Sequence, residues 1–166
     1  KNYHGQIELL AYCLMPNHFH FLVKQTTERA IAEFMQSLIL KYVMYFNKKH
    51  KRVGSLFQGR YKTVLVSDER QFVYITKYIH RNPIDILPAG PGPADLIEYK
   101  YSSYGNYLGM FKQSWVKTED ILSYFAKTNP RDSYKSFVEE TGDVARVYKE
   151  MIDLDDSLQG LALKAG

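Results

Sequence analysis

Two strand-length runs, Ile7 to Leu14 and His18 to Gln25, flank the tripeptide Met15-Pro16-Asn17, and no other feature constrains the fold as much. In the second run Phe19, Phe21 and Val23 occupy alternate positions, the period of a strand with one buried face. A Pro-Asn turn between two such segments predicts an antiparallel hairpin. The longest nearly uncharged apolar run, Leu9 to Met15, is far short of the ~20 residues that cross a bilayer, so no membrane partner is expected.

Beyond the hairpin the period changes to that of a helix. Ile31, Phe34, Met35, Leu38, Tyr42, Tyr45 and Phe46 recur at helical spacing up to about Lys49, with Thr26 or Thr27 as the expected cap. The Val53-Gly54-Ser55 turn then leads to a β-branched run, Tyr61 to Val66, which predicts a third strand. A second helix should open near Ser67 or Asp68 and stop by Asn82, because Pro83 disfavours the α conformation in the residue before it. The proline- and glycine-rich segment Pro83 to Pro93 is expected to be a loop or hinge. Further helices are expected over Tyr99 to Tyr107, from Thr118 through Ala126, from Asn129-Pro130 to before Gly142, and over Val144 to Gly166 with a frayed end. At 166 residues one domain, or one with a short appendage, is expected: residues 1–110, with 111–166 as a helical extension of the same domain. A single cysteine, Cys13, excludes an internal disulfide and a thiolate zinc site and is compatible with a reducing cytoplasm.

The net charge is only +4, but it is unevenly spread. Between Glu33 and Asp68 there is no acidic residue, while Lys41, Lys48, Lys49, Lys51, Arg52, Arg60 and Lys62 alternate with Tyr42, Tyr45, Phe46, Phe57 and Tyr61. Such a stretch suits a polyanion with stackable bases, and equally a solvated helix end. Acidic residues dominate from Glu139 to Asp156, a segment that should avoid nucleic acid.

Side chains two apart in a strand share a side, so His18 and His20 project together, away from Phe19 and Phe21. Two imidazoles placed this way can share a metal, although a His-x-His pair taken alone is more commonly a half-exposed pair than a ligand pair. His4, His50 and His80 show no ligand spacing. On the second helix Tyr74, Tyr78 and Asn82 form a stripe at four-residue intervals. Helix tyrosines ordinarily pack their rings and expose their hydroxyls, so this stripe alone assigns no chemistry.

The string Tyr12-Cys-Leu-Met-Pro-Asn-His-Phe-His-Phe-Leu-Val23 resembles the signature of the single-tyrosine transposases of the HUH endonuclease superfamily. Leu38 to His50, Leu56-Phe-Gln-Gly-Arg-Tyr-Lys62, Lys77-Tyr-Ile-His-Arg-Asn-Pro-Ile84 and Tyr101-Ser-Ser-Tyr104 extend the resemblance, in particular to the REP-associated members. It implies an α+β fold, a ferredoxin-like antiparallel sheet with helices on one face plus C-terminal helices. Family members carry a strand and a helix before the hairpin; this sequence has neither ahead of Ile7, so the expected sheet is one strand short.

By the same resemblance Tyr78 is the nucleophile, with Tyr74 its only rival, and His18, His20 and Asn82 hold a divalent metal, Mg2+ or Mn2+. The implied reaction cleaves and rejoins single-stranded DNA through a 5′-phosphotyrosine, at hairpin-forming repeats. Lys41, Lys48, Lys49, Arg52, Arg60 and Lys62 would follow the DNA backbone. Relatives act as homodimers or as monomers, in the bacterial cytoplasm with the nucleoid. Two other readings stay open: a non-catalytic module that binds DNA or RNA hairpins, and a phosphodiesterase that uses activated water.

Overall fold

The hairpin forms where the alternation predicts it. β1 (Ile7–Leu14) pairs antiparallel with β2 (Phe19–Gln25), with a register shift between Leu9 and Ala11. This computed structural model describes residues 2–87, 93–140, 142, 146–147 and 161–164. The register sets Cys13 opposite His20 and Ala11 opposite Leu22, so these four share one face. That face packs with Ile75 and Ile79 of α2 (Glu69–Arg81) in the main core.

α1 (Ala30–His50) is long and ends as expected, but its start differs. The Thr26 hydroxyl donates to the Gly5 carbonyl at 2.7 Å and is thereby diverted from capping; Arg29 stands at the N-cap in the left-handed region with no side-chain cap bond. Lys48, Lys49 and His50 fill the last turn, where positive charge suits the helix dipole. Leu40, Met44 and Tyr45 remain exposed on this helix, which buries only Ala30 and Met35. β3 is shorter than expected, Lys62–Val64.

α2 opens where expected, with Asp68 as its N-cap. Asp68 accepts the Gln71 N–H at 2.7 Å while the Gln71 side chain reaches back to the Ser67 N–H, a reciprocal arrangement that satisfies two donors at once. The α-helix stops at Arg81, yet the chain does not open into a loop there. Asn82 keeps αR geometry despite preceding Pro83, and Asn82–Ile86 continue as a 3-10 helix. A proline at the second position of that turn costs nothing, since its missing N–H would be unpaired anyway. α3 (Pro93–Glu98) replaces the end of the expected hinge, and residues 88–92 lie outside the described part.

The expected tyrosine-rich helix shrinks to α4 (Tyr104–Tyr107), and the Thr118 helix to α5 (Glu119–Leu122). α6 (Pro130–Glu139) starts at its Asn129 cap as predicted. Residues 101–103 leave the helical pattern because they line the open side of β1. Leu14 N–H donates to the Tyr101 carbonyl, Cys13 bridges Ser102, and Ser103 N–H donates to the Tyr12 carbonyl. Further along, Val116 bridges Leu9. These segments cover what would otherwise be an exposed sheet edge.

Residues 161–164 correct the expected final helix: they form a strand, β4 (Leu161–Lys164), while residues 148–160 lie outside the described part. The sheet order is β1-β2-β4-β3, antiparallel throughout, and β4 occupies the place between β2 and β3. β2, α1 and β3 therefore form a split β-α-β unit with β4 in the gap, consistent with the α+β ferredoxin-like expectation.

Candidate active site

His18 lies in the turn just before β2 and His20 lies within it, so strand geometry turns both imidazoles to the same side. Their Nε2 atoms are 3.1 Å apart. His18 Nδ1 is 2.7 Å from Asn17 Oδ1, an atom that only accepts. The Nδ1–H is thereby fixed on His18, and its Nε2 lone pair points toward His20. Two nitrogens each ~2.1 Å from one ion at 90° to 109° stand roughly 3.0 to 3.4 Å apart, so the pair fits a shared divalent metal. His20 is buried and His18 half-buried, which limits competition from bulk water.

α2 supplies the other candidates. The Tyr78 ring meets the His20 ring edge-on at 5.3 Å between centroids. One turn later the Asn82 side-chain amide donates back to the Tyr78 carbonyl at 2.9 Å, which ties Asn82 to the same end of the helix. Among the described residues no group of three His, Cys, Asp or Glu converges as a metal site. Tyr74 turns elsewhere: its ring packs edge-on against Phe137 of α6 at 5.9 Å, beneath the Lys77 ammonium at 5.8 Å. Lys77 is itself buried, 4.9 Å above Phe137 and 3.5 Å from Glu140, and desolvation lowers its pKa.

The six basic candidates are all exposed. Lys41, Lys48 and Lys49 lie along α1, Arg52 follows it, Arg60 precedes β3 and Lys62 begins it. The Arg52 guanidinium lies 5.8 Å from the Phe46 ring and Lys49 Nζ 5.7 Å from Tyr45, so aromatics and cations are interleaved in space as well as in sequence. A row of rings runs from Phe46 to Tyr42 (6.0 Å), Phe57 (6.3 Å) and Phe19 (6.3 Å). Phe19 faces away from His18 and His20, so this basic-aromatic surface joins β2 from the side opposite the histidines.

Two residues outside the sequence-derived candidates support the site. Asn17 orients His18, a contact between neighbours that no periodicity reveals. His80, without ligand spacing, is fully buried between Tyr134 and Ser103. Its signal was its place on the buried side of α2, four residues after Thr76 and next to Ile79.

Residues 2–82 match the family model described as "Transposase IS200 like". The matched segment includes both histidines, the whole of α2 and Asn82, and it ends where the 3-10 helix begins. No curated protein and no solved structure matches the chain. Over residues 2–82, close to half of its length, the chain is thus similar to the IS200-like transposases.

Proposed function

We propose that the chain is a transposase that cleaves and rejoins single-stranded DNA at hairpin-forming repeats, with Tyr78 as the nucleophile and His18, His20 and Asn82 as the holders of a divalent metal, Mg2+ or Mn2+. The observation that carries the reading is the meeting of the Tyr78 ring with His20, whose Nε2 stands 3.1 Å from that of His18. When bound, the metal supplies positive charge beside the scissile phosphate, which stabilises the charge that develops on phosphorus. The protein does the rest. Tyr78 Oη forms a bond to phosphorus, the bond from phosphorus to the 3′ oxygen breaks, the phenolic proton leaves to solvent and the 3′ oxygen takes one up. The products are a 5′-phosphotyrosyl end and a free 3′-hydroxyl, and the reverse step rejoins strands without ATP. Asn17 keeps His18 in the tautomer that leaves Nε2 unprotonated, and neutral ligands leave the cation most of its charge.

The test incubates labelled single-stranded hairpin DNA with the protein in manganese or in chelator, followed by denaturing electrophoresis and peptide mapping. The expected result is a protease-sensitive adduct, formed only with metal and mapped to Tyr78. An adduct on Tyr74 overturns the assignment of the nucleophile, and cleavage without an adduct favours activated water. Binding without cleavage favours a non-catalytic hairpin-binding module.

The basic residues are read as the backbone contact. Replacing Lys48, Lys49 and Arg52 together by Ala is expected to reduce the slope of log affinity against log salt by about 2, at ~0.7 per phosphate on a single strand. Affinity at moderate salt should fall ~10- to 100-fold, measured by fluorescence anisotropy on single-stranded DNA. An unchanged slope would place the DNA elsewhere.

A further inference from the structure

α2 carries a buried polar side chain that neither the metal nor the attacking group requires. His80 has no exposure, and both ring nitrogens are engaged: Nδ1 lies 2.6 Å from Tyr134 Oη of α6, and Nε2 lies 2.8 Å from Ser103 Oγ. Ser103 is bound in turn to β1. Its Oγ receives the Tyr12 N–H at 2.8 Å and lies 3.2 Å from the Tyr12 carbonyl, while its own N–H donates to that carbonyl at 2.9 Å. With the Ser103 hydroxyl donating to Tyr12, His80 Nε2–H donates to Ser103 and the Tyr134 hydroxyl donates to Nδ1. Cys13, next to Tyr12, is the register partner of His20, against whose ring Tyr78 rests. His80 lies two positions after Tyr78 on α2, so the helix is tied to the histidine strand pair within one turn of the proposed nucleophile.

Ile75 and Ile79 of α2 also meet the sheet through apolar packing with residues such as Leu22. Such contacts are non-directional and tolerate a slide of the helix, whereas a slide of one residue, ~1.5 Å, breaks a 2.8 Å hydrogen bond and leaves a buried donor unpaired. We propose that His80 is a positioning residue: its bond to Ser103 sets the register of α2 against β1 and thereby aims Tyr78 at the histidine pair, while its bond to Tyr134 only anchors α6. The consequence for rate rests on the reading of Tyr78 as nucleophile; the consequence for geometry does not.

The test compares Ser103→Ala, which cuts the β1 arm, with Tyr134→Phe, which cuts the α6 arm, and with His80→Gln, whose amide reaches as far as Nε2 and restores the β1 arm. Melting temperature, kcat and KM for cleavage of single-stranded hairpin DNA in manganese, and the nuclear Overhauser contact between the Tyr78 and His20 rings are measured for each. Both hydroxyl deletions should lower the melting temperature. Only Ser103→Ala should lose the ring contact and lower kcat, by ~10- to 100-fold with KM little changed, the effect of roughly 1 Å of misplacement. His80→Gln should stay within about threefold of wild type in kcat, since the β1 arm is kept. If Ser103→Ala does not fold, His80→Asn, which reaches only Tyr134, takes its place. An unchanged ring contact in the β1-arm variant, or equal loss in Tyr134→Phe, overturns the proposal. A wild type that makes no adduct overturns the nucleophile reading alone, and the ring contact then still decides the role of His80.

Discussion

Tyr78→Phe is expected to abolish the covalent DNA adduct, with cleavage falling by at least ~10³-fold, while the fold and metal binding survive. The substitution removes one oxygen and keeps the ring that packs edge-on against His20. Tyr78 is half-buried, so its hydroxyl is no keystone of the core, and loss of one hydrogen-bonding group costs on the order of 1 kcal/mol. Tyr74→Phe should leave cleavage within a few-fold of wild type, because that ring is committed to Phe137 and Lys77. His20→Ala is the complementary case. It removes a buried ring that faces both His18 and Tyr78, and manganese binding followed by calorimetry should weaken by ~100-fold or more along with cleavage. Loss of adduct with metal affinity retained in Tyr78→Phe, set against loss of both in His20→Ala, separates nucleophile from ligand. Full cleavage by Tyr78→Phe would sink the tyrosine mechanism and leave activated water in its place.

What could be read from sequence divides along the distance between interacting residues. The hairpin, the Asp68 cap and the Asn129 cap depend on neighbours within a few positions, and each forms as its local pattern requires. Thr26 fails as a cap because its hydroxyl goes to Gly5, 21 residues earlier. β4 escapes local reading for the same reason: four residues become a strand only by pairing with segments that lie far earlier in the chain, here His20-Phe21 and Lys62 to Val64. His18 and His20 were legible as a pair from strand period alone. Nothing in the spacing of Tyr74 and Tyr78 distinguishes them; their surroundings do, one facing α6 and the other the histidines. The basic residues were legible as exposed, but their approach to β2 from the side of Phe19 depends on Phe57, which no periodicity connects to either.

Acid should unfold this protein through His80. Burial among Tyr104, Tyr107 and Tyr134 holds its pKa down to about 3, against an ordinary value of 6.5. Both ring nitrogens are engaged by hydroxyls, which can turn to accept from a second ring proton, so what opposes protonation is the desolvation of the charged ring. The fold holds the neutral ring, whereas the unfolded chain takes up a proton near the ordinary value; the unfolded state therefore gains as pH falls. The stability contributed by the neutral ring is whole above pH ~6.5 and drains toward pH ~3 at about 1.4 kcal/mol per unit, on the order of 5 kcal/mol in all. That is a large share of the ~5 to 15 kcal/mol typical of a domain. Urea unfolding at pH 7, 6, 5 and 4 checks it by comparing wild type with His80→Gln, which carries no titrating group. All other groups are common to the two proteins, so their contributions cancel in the difference. Wild type should lose about 1.4 kcal/mol per unit more than the variant between pH 6 and 4, and parallel pH profiles would assign the acid sensitivity to another group.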